Sequence, residues 1–167
     1  DNCIRKVSGD QVTTYACATK QGRSPKVLVD FALPHHAVEH NGRLYVTNSQ
    51  KNNIVVINLQ ENRLEATIGA SMSMPLTNAH RDGAWNQCTF KYPIGLAINR
   101  SKNLIYVVDA ESNALREVLL NEKTVRTAPE PFPASWVHGI TCLDNGHIVA
   151  CAYVDSFLAL CPLQPGV

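Results

Sequence analysis

The chain has 167 residues, a formal net charge of +1, and hydrophobic side chains at 45% of its positions. This length and apolar content are enough for one domain with a buried core. Acidic and basic residues are mixed along the chain without a basic stripe, which argues against binding to nucleic acid. No apolar run approaches the roughly 20 residues that a membrane-spanning helix needs, so we expect no transmembrane segment.

The chain opens with a predicted β-hairpin. Residues 3–7 and 12–16 are strand-sized, and a Ser-Gly-Asp-Gln turn at residues 8–11 separates them. Two such segments joined by a short turn that contains glycine are typical of a hairpin. In this hairpin Cys3 and Cys17 face each other across the two strands. Cross-strand neighbours are close enough to bridge, so we predict a Cys3–Cys17 disulfide.

A unit of short strands then recurs along the chain. Its copies start near residues 33, 92 and 136, and each has three strand-sized segments separated by polar turns. Fourth strands are predicted at residues 64–69 and 124–128, and Pro129 ends the latter because proline cannot donate to a strand ladder. Repeats of this kind indicate propeller blades or a related array. We therefore predict an all-β fold of four-stranded antiparallel blades in an incomplete ring.

The predicted organisation is one propeller segment with two complete blades and two partial ones. Residues 1–20 supply the last two strands of a blade, and residues 31–69 form a complete blade. A linker at residues 70–90 leads to a second complete blade at residues 91–129. Residues 133–162 supply three strands of a last blade.

Several of these segments resemble NHL repeats, the blades of NHL-type β-propellers. The segment DNCIRKV at residues 1–7, followed by VTT at residues 12–14, is similar to the end of an NHL blade. The segment DGA at residues 82–84, leading to FKYPIGLA at residues 90–97, is similar to the family's linker and blade opening. The chain departs from the pattern at His36, where the family prefers Gly, and at residues 151–152, where Cys-Ala replaces Ala-Asp.

The resemblance implies blades beyond those in this chain, because NHL propellers usually have about six and a propeller protects its strand edges by closing. Three sources are open: upstream sequence, a partner chain, or a second copy. Exposed strand edges also invite strand addition from another chain. We therefore expect a protein partner or second chain to complete the propeller.

The cysteines and one sequon favour a secreted or cell-surface protein. Two arrangements remain open for the other four cysteines: Cys142–Cys151 with Cys88–Cys161, or Cys151–Cys161 with Cys88–Cys142. The sequence Asn99-Arg100-Ser101 is an N-glycosylation sequon in a predicted exposed turn. The first residue is Asp1 and not Met, so we expect a processed chain or a fragment. Disulfides and glycans both indicate an oxidising compartment.

Histidines and tryptophans are the candidate ligand-binding residues. His35 and His138 occupy matching places at the start of the first strand of their blades, and His36 follows His35. First strands converge on a propeller's central channel, so these side chains can meet a ligand there, or they are ordinary rim histidines bonded to backbone. Trp85 and Trp136 lie in linkers, where aromatics form a binding face or wedge between blades.

The family resemblance also implies a metal-dependent alternative. NHL-type peptide amidating lyases hold zinc with channel histidines, for which His36 and His138 are the candidates here. Related propeller hydrolases hold calcium with Glu, Asn and Asp, although Asp109 after a second strand is expected to cap a turn. The sequence shows no nucleophile motif. We predict a non-catalytic module for protein or ligand binding and scaffolding, with a zinc- or calcium-dependent lyase or hydrolase, or a structural repeat unit of a larger extracellular assembly, as alternatives.

Overall fold

Short β-strands joined by tight turns make up the described part of the molecule. The computed structural model describes residues 2–18, 25–70, 80–129, 132, 137–152 and 158–161, and it describes only the backbone of residues 138, 152 and 158–161. Two 3₁₀ turns, Ser49–Lys51 and Ala110–Ser112, accompany the strands. In chain order the strands are β1 Cys3–Ser8, β2 Gln11–Cys17, β3 Val27–Leu28, β4 Pro34–His40, β5 Arg43–Asn48, β6 Asn53–Asn58, β7 Arg63–Ile68, β8 Gly83–Ala84, β9 Pro93–Asn99, β10 Leu104–Asp109, β11 Ala114–Leu119, β12 Thr124–Thr127, β13 Val137–Cys142, β14 Ile148–Ala152 and β15 Leu158–Cys161.

These strands form four sheets that follow one another along the chain. The first sheet has the order β1-β2-β3, the second β4-β5-β6-β7, the third β8-β12-β11-β10-β9, and the fourth β13-β14-β15. Neighbouring strands are antiparallel except for β2 and β3, which are parallel. The result is an incomplete propeller-like all-β fold, as the sequence predicted.

Three hydrophobic cores lie between successive sheets. Tyr15 and Phe31 pack with Val46 between the first and second sheets. The second core lies between the second and third sheets and includes Val56, Phe90, Leu96, Val107 and Val118. The third core lies between the third and fourth sheets and includes Tyr106, Val108, Leu115, Ile140 and Ile148. The apolar residues on both faces of the middle strands therefore hold the sheets in a stack.

The repeat seen in the sequence is also a repeat of backbone conformation. Leu33 and Tyr92, one residue before the first strand of the second and third sheets, both have positive φ, at 59° and 61°. Each is held from the next turn, since Ser49 N donates to the Leu33 carbonyl and Ala110 N donates to the Tyr92 carbonyl. The same turn geometry therefore starts both sheets.

The ends of the second strands carry matching polar side chains. Asn48 Oδ1 accepts from the Ala32 N–H at 2.6 Å, and Asp109 Oδ1 accepts from the Lys91 N–H at 2.7 Å. Both side chains are buried. The expectation that Asp109 caps the following turn is wrong: neither side chain makes a capping hydrogen bond to the 3₁₀ turn after its strand, and each instead holds the backbone just before the first strand of its sheet.

The cysteines follow the sequence prediction only in part. Cys3 pairs with Cys17 across β1 and β2, with a Cα–Cα distance of 4.4 Å, so the predicted disulfide is confirmed. Cys88, Cys142 and Cys151 are free thiols, so neither arrangement proposed for the other four cysteines forms. The register gives the reason, since Cys142 faces Ile148 and Cys151 faces Gly139 and Leu158. Cys88 is instead buried in the second core, where burial raises the pKa of its thiol to about 11.

Candidate functional site

A groove of about 380 Å³ runs along the first strands of three sheets. Strands β4, β9 and β13 lie side by side, because β9 contacts β4 on one side and β13 on the other. The groove therefore opens on the inner side of the stack, where the first strands converge. Its lining residues are His36, Val38, Leu96, Ala97, Ile98, Asn99, Arg100, Ser101, Ile140, Thr141, Cys142, Leu143 and Asp144.

A glycine sets the distance between the two strands that form most of the groove. A Cβ at Gly95 of β9 would lie 2.9 Å from Ile140 Cγ2 of β13 and 3.2 Å from Val108 Cγ2. Real Cβ atoms do not approach other atoms at the shorter distance, so only glycine allows β13 to pack this closely.

His36 is the histidine that the structure brings into the groove. Its Nδ1 accepts a hydrogen bond from the Leu96 N–H at 3.1 Å, which connects β4 to β9. Burial lowers the pKa of His36, so the imidazole is neutral at pH 7 and its proton lies on Nε2. The side chain thus offers one N–H donor to a ligand in the groove.

The hydrogen bond from the Leu96 N–H does not fit a role for His36 as a zinc ligand. Zinc needs an unprotonated ring nitrogen, but Nδ1 of His36 is occupied by the Leu96 N–H and Nε2 carries the proton. The side chain of His138, the second candidate, lies outside the described residues. Among the residues that are described, no group of three or more His, Cys, Asp or Glu could hold a metal ion. The zinc or calcium alternative stays a prediction, and His36 does not favour it.

The remaining candidate residues lie elsewhere. His35 is on the opposite face of β4, with its ring 6.0 Å from that of Tyr92 in an edge-on arrangement. Trp85 packs against the second core, between the second and third sheets, which is the wedge role that the sequence left open for it. Trp136 lies outside the described residues. The structure therefore places one of the five predicted ligand-binding side chains in the groove.

The rim of the groove carries two opposite charges. Arg100 follows β9, and Asp144 lies in the turn after β13; both are exposed. Arg100 Nη1 lies 3.3 Å from Nδ1 of the buried His40, whose Nε2 lies 2.6 Å from Asn103 Oδ1. His40 therefore positions the guanidinium of Arg100. Arg100 directly follows β9 and Asp144 comes two residues after the end of β13, and that position was the available sequence signal.

The sequon lies at the same rim, but its asparagine is not exposed. Asn99 is 4% exposed, and its Oδ1 accepts from Ser101 Oγ at 2.9 Å and from the Lys102 N–H at 3.0 Å. Its Nδ2 faces Gly146 of the fourth sheet. The turn at residues 100–102 is exposed, as predicted, but Asn99 is the last residue of β9 and is buried beside the fourth sheet. A glycan on Nδ2 needs space that the packed side chain does not have.

A second polar cluster, which the sequence did not predict, holds the linker to the third sheet. Arg116 of β11 is wholly buried. Its Nη2 donates to Asp82 Oδ1 at 2.8 Å, and its Nη1 donates to the Thr89 carbonyl at 2.9 Å and to Asp109 Oδ2 at 3.4 Å. Its guanidinium also lies 5.3 Å from the centre of the Phe90 ring. We call these residues the Arg116 cluster.

Burial dominates the ionisation of Asp109 in this cluster. It raises the pKa of Asp109 to about 6, although Ser112, the Lys91 N–H and Arg116 all favour the charged form. The pKa of Asp82 is instead lowered, because Thr127 and Arg116 stabilise its carboxylate more than burial opposes it. The cluster is structural, since its partners are all residues of the linker and the third sheet.

No model of a known protein family matches the chain. A stretch of 47 residues, 28% of the chain, is 45% identical to Protein SUPPRESSOR OF QUENCHING 1, chloroplastic, of Arabidopsis thaliana, but covers 4% of that protein. This short match does not establish a family.

The fold is similar to that of several larger solved structures. An auxiliary nutrient binding protein from Bacteroides thetaiotaomicron has a TM-score of 0.57 and 11% identity, with 89% of this chain and 40% of that chain covered. A protein of the same description from Bacteroides ovatus has a TM-score of 0.56 and 17% identity, with 83% and 40% covered. The extracellular domain of a putative hybrid two component system from B. thetaiotaomicron has a TM-score of 0.54 and 13% identity, with 91% and 17% covered.

These comparisons support a propeller-like fold. The chain spans two fifths or less of each of these solved chains. Identities this low concern the fold alone. Within the described residues, no helix is both long enough and apolar enough to cross a membrane.

Proposed function

We propose that this chain is a non-catalytic binding module of NHL type whose ligand lies in the groove along β4, β9 and β13. The observation that carries the proposal is the groove itself. Its volume falls in the range of roughly 300–1,000 Å³ that is usual for small-molecule sites. The groove also lies where three sheets meet, so a bound ligand would contact all three.

The lining suits an organic ligand that has both an apolar part and charged ends. Val38, Ile98 and Leu143 supply apolar surface, and His36 supplies one N–H donor. Arg100 and Asp144 stand at the rim with opposite charges, so they can pair with a carboxylate and an ammonium group. Amino acids and short peptides combine these features, and we expect the ligand to come from this class.

The proposed site is tested by filling the groove. A panel of amino acids and dipeptides is titrated into the protein by calorimetry, and the best ligand is carried forward. Thr141→Trp places a large ring at an exposed position of β13 in the groove, and we expect it to weaken binding at least tenfold. The matched control is Thr13→Trp, at an exposed threonine of β2 outside the groove, which should leave binding unchanged. Equal affinities for the two variants would reject the groove as the site.

We also propose that the module is secreted or displayed at the cell surface and works within a larger assembly. The Cys3–Cys17 disulfide supports this proposal, because such bonds persist in oxidising compartments. The solved extracellular domain of similar fold is consistent with it. Mass spectrometry of the natural protein, alkylated before any reduction, tests it. Recovery of Cys3 and Cys17 as free thiols would contradict it.

A further inference from the structure

The edge of β9 that lines the groove carries backbone groups as well as side chains. β9 is the last strand of its sheet, and within the sheet it pairs with β10 alone. In an antiparallel pair, successive residues point their N–H and C=O groups alternately toward the neighbouring strand and away from it. Every second residue of β9 therefore presents its backbone to the groove. Because β4 and β13 flank this edge on its two sides, described neighbours determine its surroundings.

Two hydrogen bonds identify the residues that point into the groove. The Ile94 carbonyl accepts from Thr47 Oγ1 at 3.1 Å, and the Leu96 N–H donates to His36 Nδ1 at 3.1 Å. Both partners belong to the second sheet, so these backbone groups point away from β10. The register with β10 continues without a shift from Leu96 to Ile98. The N–H and C=O groups of Ile98 therefore also point away from β10.

Ile98 is the place where this edge lacks a partner. Among the described residues, no strand pairs with the outer edge of β9, and no turn or loop backbone is hydrogen-bonded to Ile98. Ile98 is partly buried and lines the groove. A backbone N–H or C=O that is left unpaired away from water costs free energy. A ligand that bonds to both groups would remove this cost.

β13 presents a similar edge, but the charge at its end is different. The Leu143 N–H donates to the His147 carbonyl at 2.8 Å, so the backbone of the preceding Cys142 points away from β14. The first charged residue after β13 is Asp144, whereas Arg100 follows β9. A carboxylate at the end of an added strand is attracted by Arg100 and repelled by Asp144, so β9 is the favoured edge.

We propose that the groove binds the C-terminal end of a peptide, which adds to the edge of β9 as a parallel strand. This inference rests on the proposed function, because it uses the same groove. In a parallel pair, one residue bonds to two residues of its neighbour. The Ile98 N–H donates to the carbonyl of the third-last peptide residue, and the Ile98 carbonyl accepts from the N–H of the last one. The terminal carboxylate then lies at the C-terminal end of β9, beside Arg100.

The two charges at the rim also specify the last residue of the peptide. Arg100 and Asp144 line the same groove, at the ends of β9 and β13. A free amino acid carries both of its charges on one carbon, but a peptide carries its terminal ammonium group several residues away from its carboxylate. The cation that pairs with Asp144 therefore belongs to the side chain of the last residue, and we expect a C-terminal Lys or Arg.

The test compares N-methylated forms of one tripeptide, acetyl-Ala-Ala-Lys with a free carboxylate, by calorimetry with the natural protein. Methylation of the backbone nitrogen of the lysine removes the donor to the Ile98 carbonyl, and we expect binding to weaken about tenfold. Methylation of the second alanine is the matched control, because in a parallel strand that N–H points away from β9, and the affinity should stay unchanged. The C-terminal amide of the peptide should also bind about tenfold more weakly, because it cannot form the ion pair with Arg100.

A substitution at Ile98 tests the other partner of the same bonds. Ile98→Pro removes the N–H that points into the groove and leaves the ladder with β10 intact, which is the position where an edge strand accepts proline. Ile98→Ala is the control, since it also loses most of the side chain but keeps the N–H. We expect Ile98→Pro to bind the tripeptide about tenfold more weakly than Ile98→Ala. The amide of Ile98 in the natural protein should also exchange with solvent more slowly when the tripeptide is bound.

The outcomes separate this inference from the proposal for the groove. If Thr141→Trp weakens tripeptide binding but the two methylated peptides bind equally, the groove remains the site and strand addition is rejected. Free lysine that binds in the groove as tightly as the tripeptide would also reject strand addition. If Thr141→Trp leaves the binding of every ligand unchanged, both proposals fail. The peptide series uses the natural protein, so it decides the question even if Ile98→Pro does not fold.

Discussion

The second and third sheets have the same backbone plan but different surroundings. Leu33 and Tyr92 start them with nearly the same positive φ, and Asn48 and Asp109 accept hydrogen bonds from equivalent backbone N–H groups, those of Ala32 and Lys91. Their first strands differ, since β9 is buried along nearly its whole length while alternate residues of β4 are exposed. β9 lies between β4 and β13, the first strands of the two adjacent sheets. Within the described residues, β4 contacts the first strand of only one other sheet, which is β9.

The difference shows that different residues determine the backbone turns and the packing of the strands. Turn residues in the left-handed region set the repeated backbone, whatever packs on the sheet. The side chains then follow the neighbours: Leu96 of β9, at 1% exposure, corresponds to the exposed Ala37 of β4. In the third strands, Arg116 takes the place that Val55 has in the second sheet.

The Arg116 cluster gives the largest expected effect. Arg116→Leu removes the cation between Asp82 and Asp109, and we expect a loss of about 3–5 kcal/mol in the free energy of unfolding, measured in urea. The matched control is Arg126→Leu. That side chain is 59% exposed and pairs with Glu117, so its loss should cost about 1 kcal/mol or less.

A double variant sharpens this result. Arg116→Leu with Asp109→Asn makes the third sheet resemble the second, which has Val55 and Asn48 at these positions. We expect it to recover at least about 1 kcal/mol over Arg116→Leu alone, because no unpaired carboxylate stays buried beside the leucine. A double variant less stable than Arg116→Leu would show that Asp109 does not depend on Arg116.

The first strands provide the second comparison. Leu96→Ala should cost about 2–5 kcal/mol, because it leaves a cavity in the second core. At the equivalent exposed position of β4, Ala37→Leu should change the free energy of unfolding by about 0.5 kcal/mol or less. The same urea measurement checks both variants. A large effect at Ala37 would mean that this face of β4 is covered in solution.

The pH dependence of stability separates Asp109 from Asn48. The folded-state pKa of Asp109 is raised from 3.8 to about 6, so its protonated form is favoured by folding. Its stabilising contribution is fully present below about pH 4 and is lost as the pH rises through 6. The stability gap between the natural protein and Asp109→Asn should therefore shift by about 2 kcal/mol between pH 4 and pH 7.

The reverse change in the second sheet checks the sign. Asn48→Asp places a carboxylate at 2% exposure without an arginine in the position of Arg116. The free energy of unfolding of this variant should also fall as the pH rises from 4 to 7. The fall should be larger than the one that Asp109 causes in the natural protein. Urea unfolding at pH 4, 5, 6 and 7 measures both variants. A pH-independent Asn48→Asp would contradict the burial argument.

The sequence predicted the strands better than it predicted the side-chain contacts. Alternating apolar residues and turn residues place the segments of the first three sheets close to where they are found, and they pair Cys3 with Cys17. Those signals are local. The burial of Asn99 depends on the fourth sheet, and the Arg116 cluster joins residues 34 positions apart, so neither follows from a local pattern.

The candidate site was predictable only in outline. The convergence of first strands indicated where a groove would lie, and His36 is one of its lining residues. Arg100 was not singled out, because its position at the rim depends on how far β9 extends before it turns. His40, which positions Arg100, is 6% exposed, and its contacts with Arg100 and Asn103 join residues 60 and 63 positions apart.

The most direct test of the account is chemical-shift mapping of the ¹⁵N-labelled protein with the best amino acid or dipeptide ligand. The account predicts that the largest changes occur at residues 96–101 and 140–144, with Val38 and His36 beside them, and that residues 5–14 stay unchanged. Changes centred on the β1–β2 hairpin, or on the linker around Trp85, would contradict the claim that the groove is the binding site.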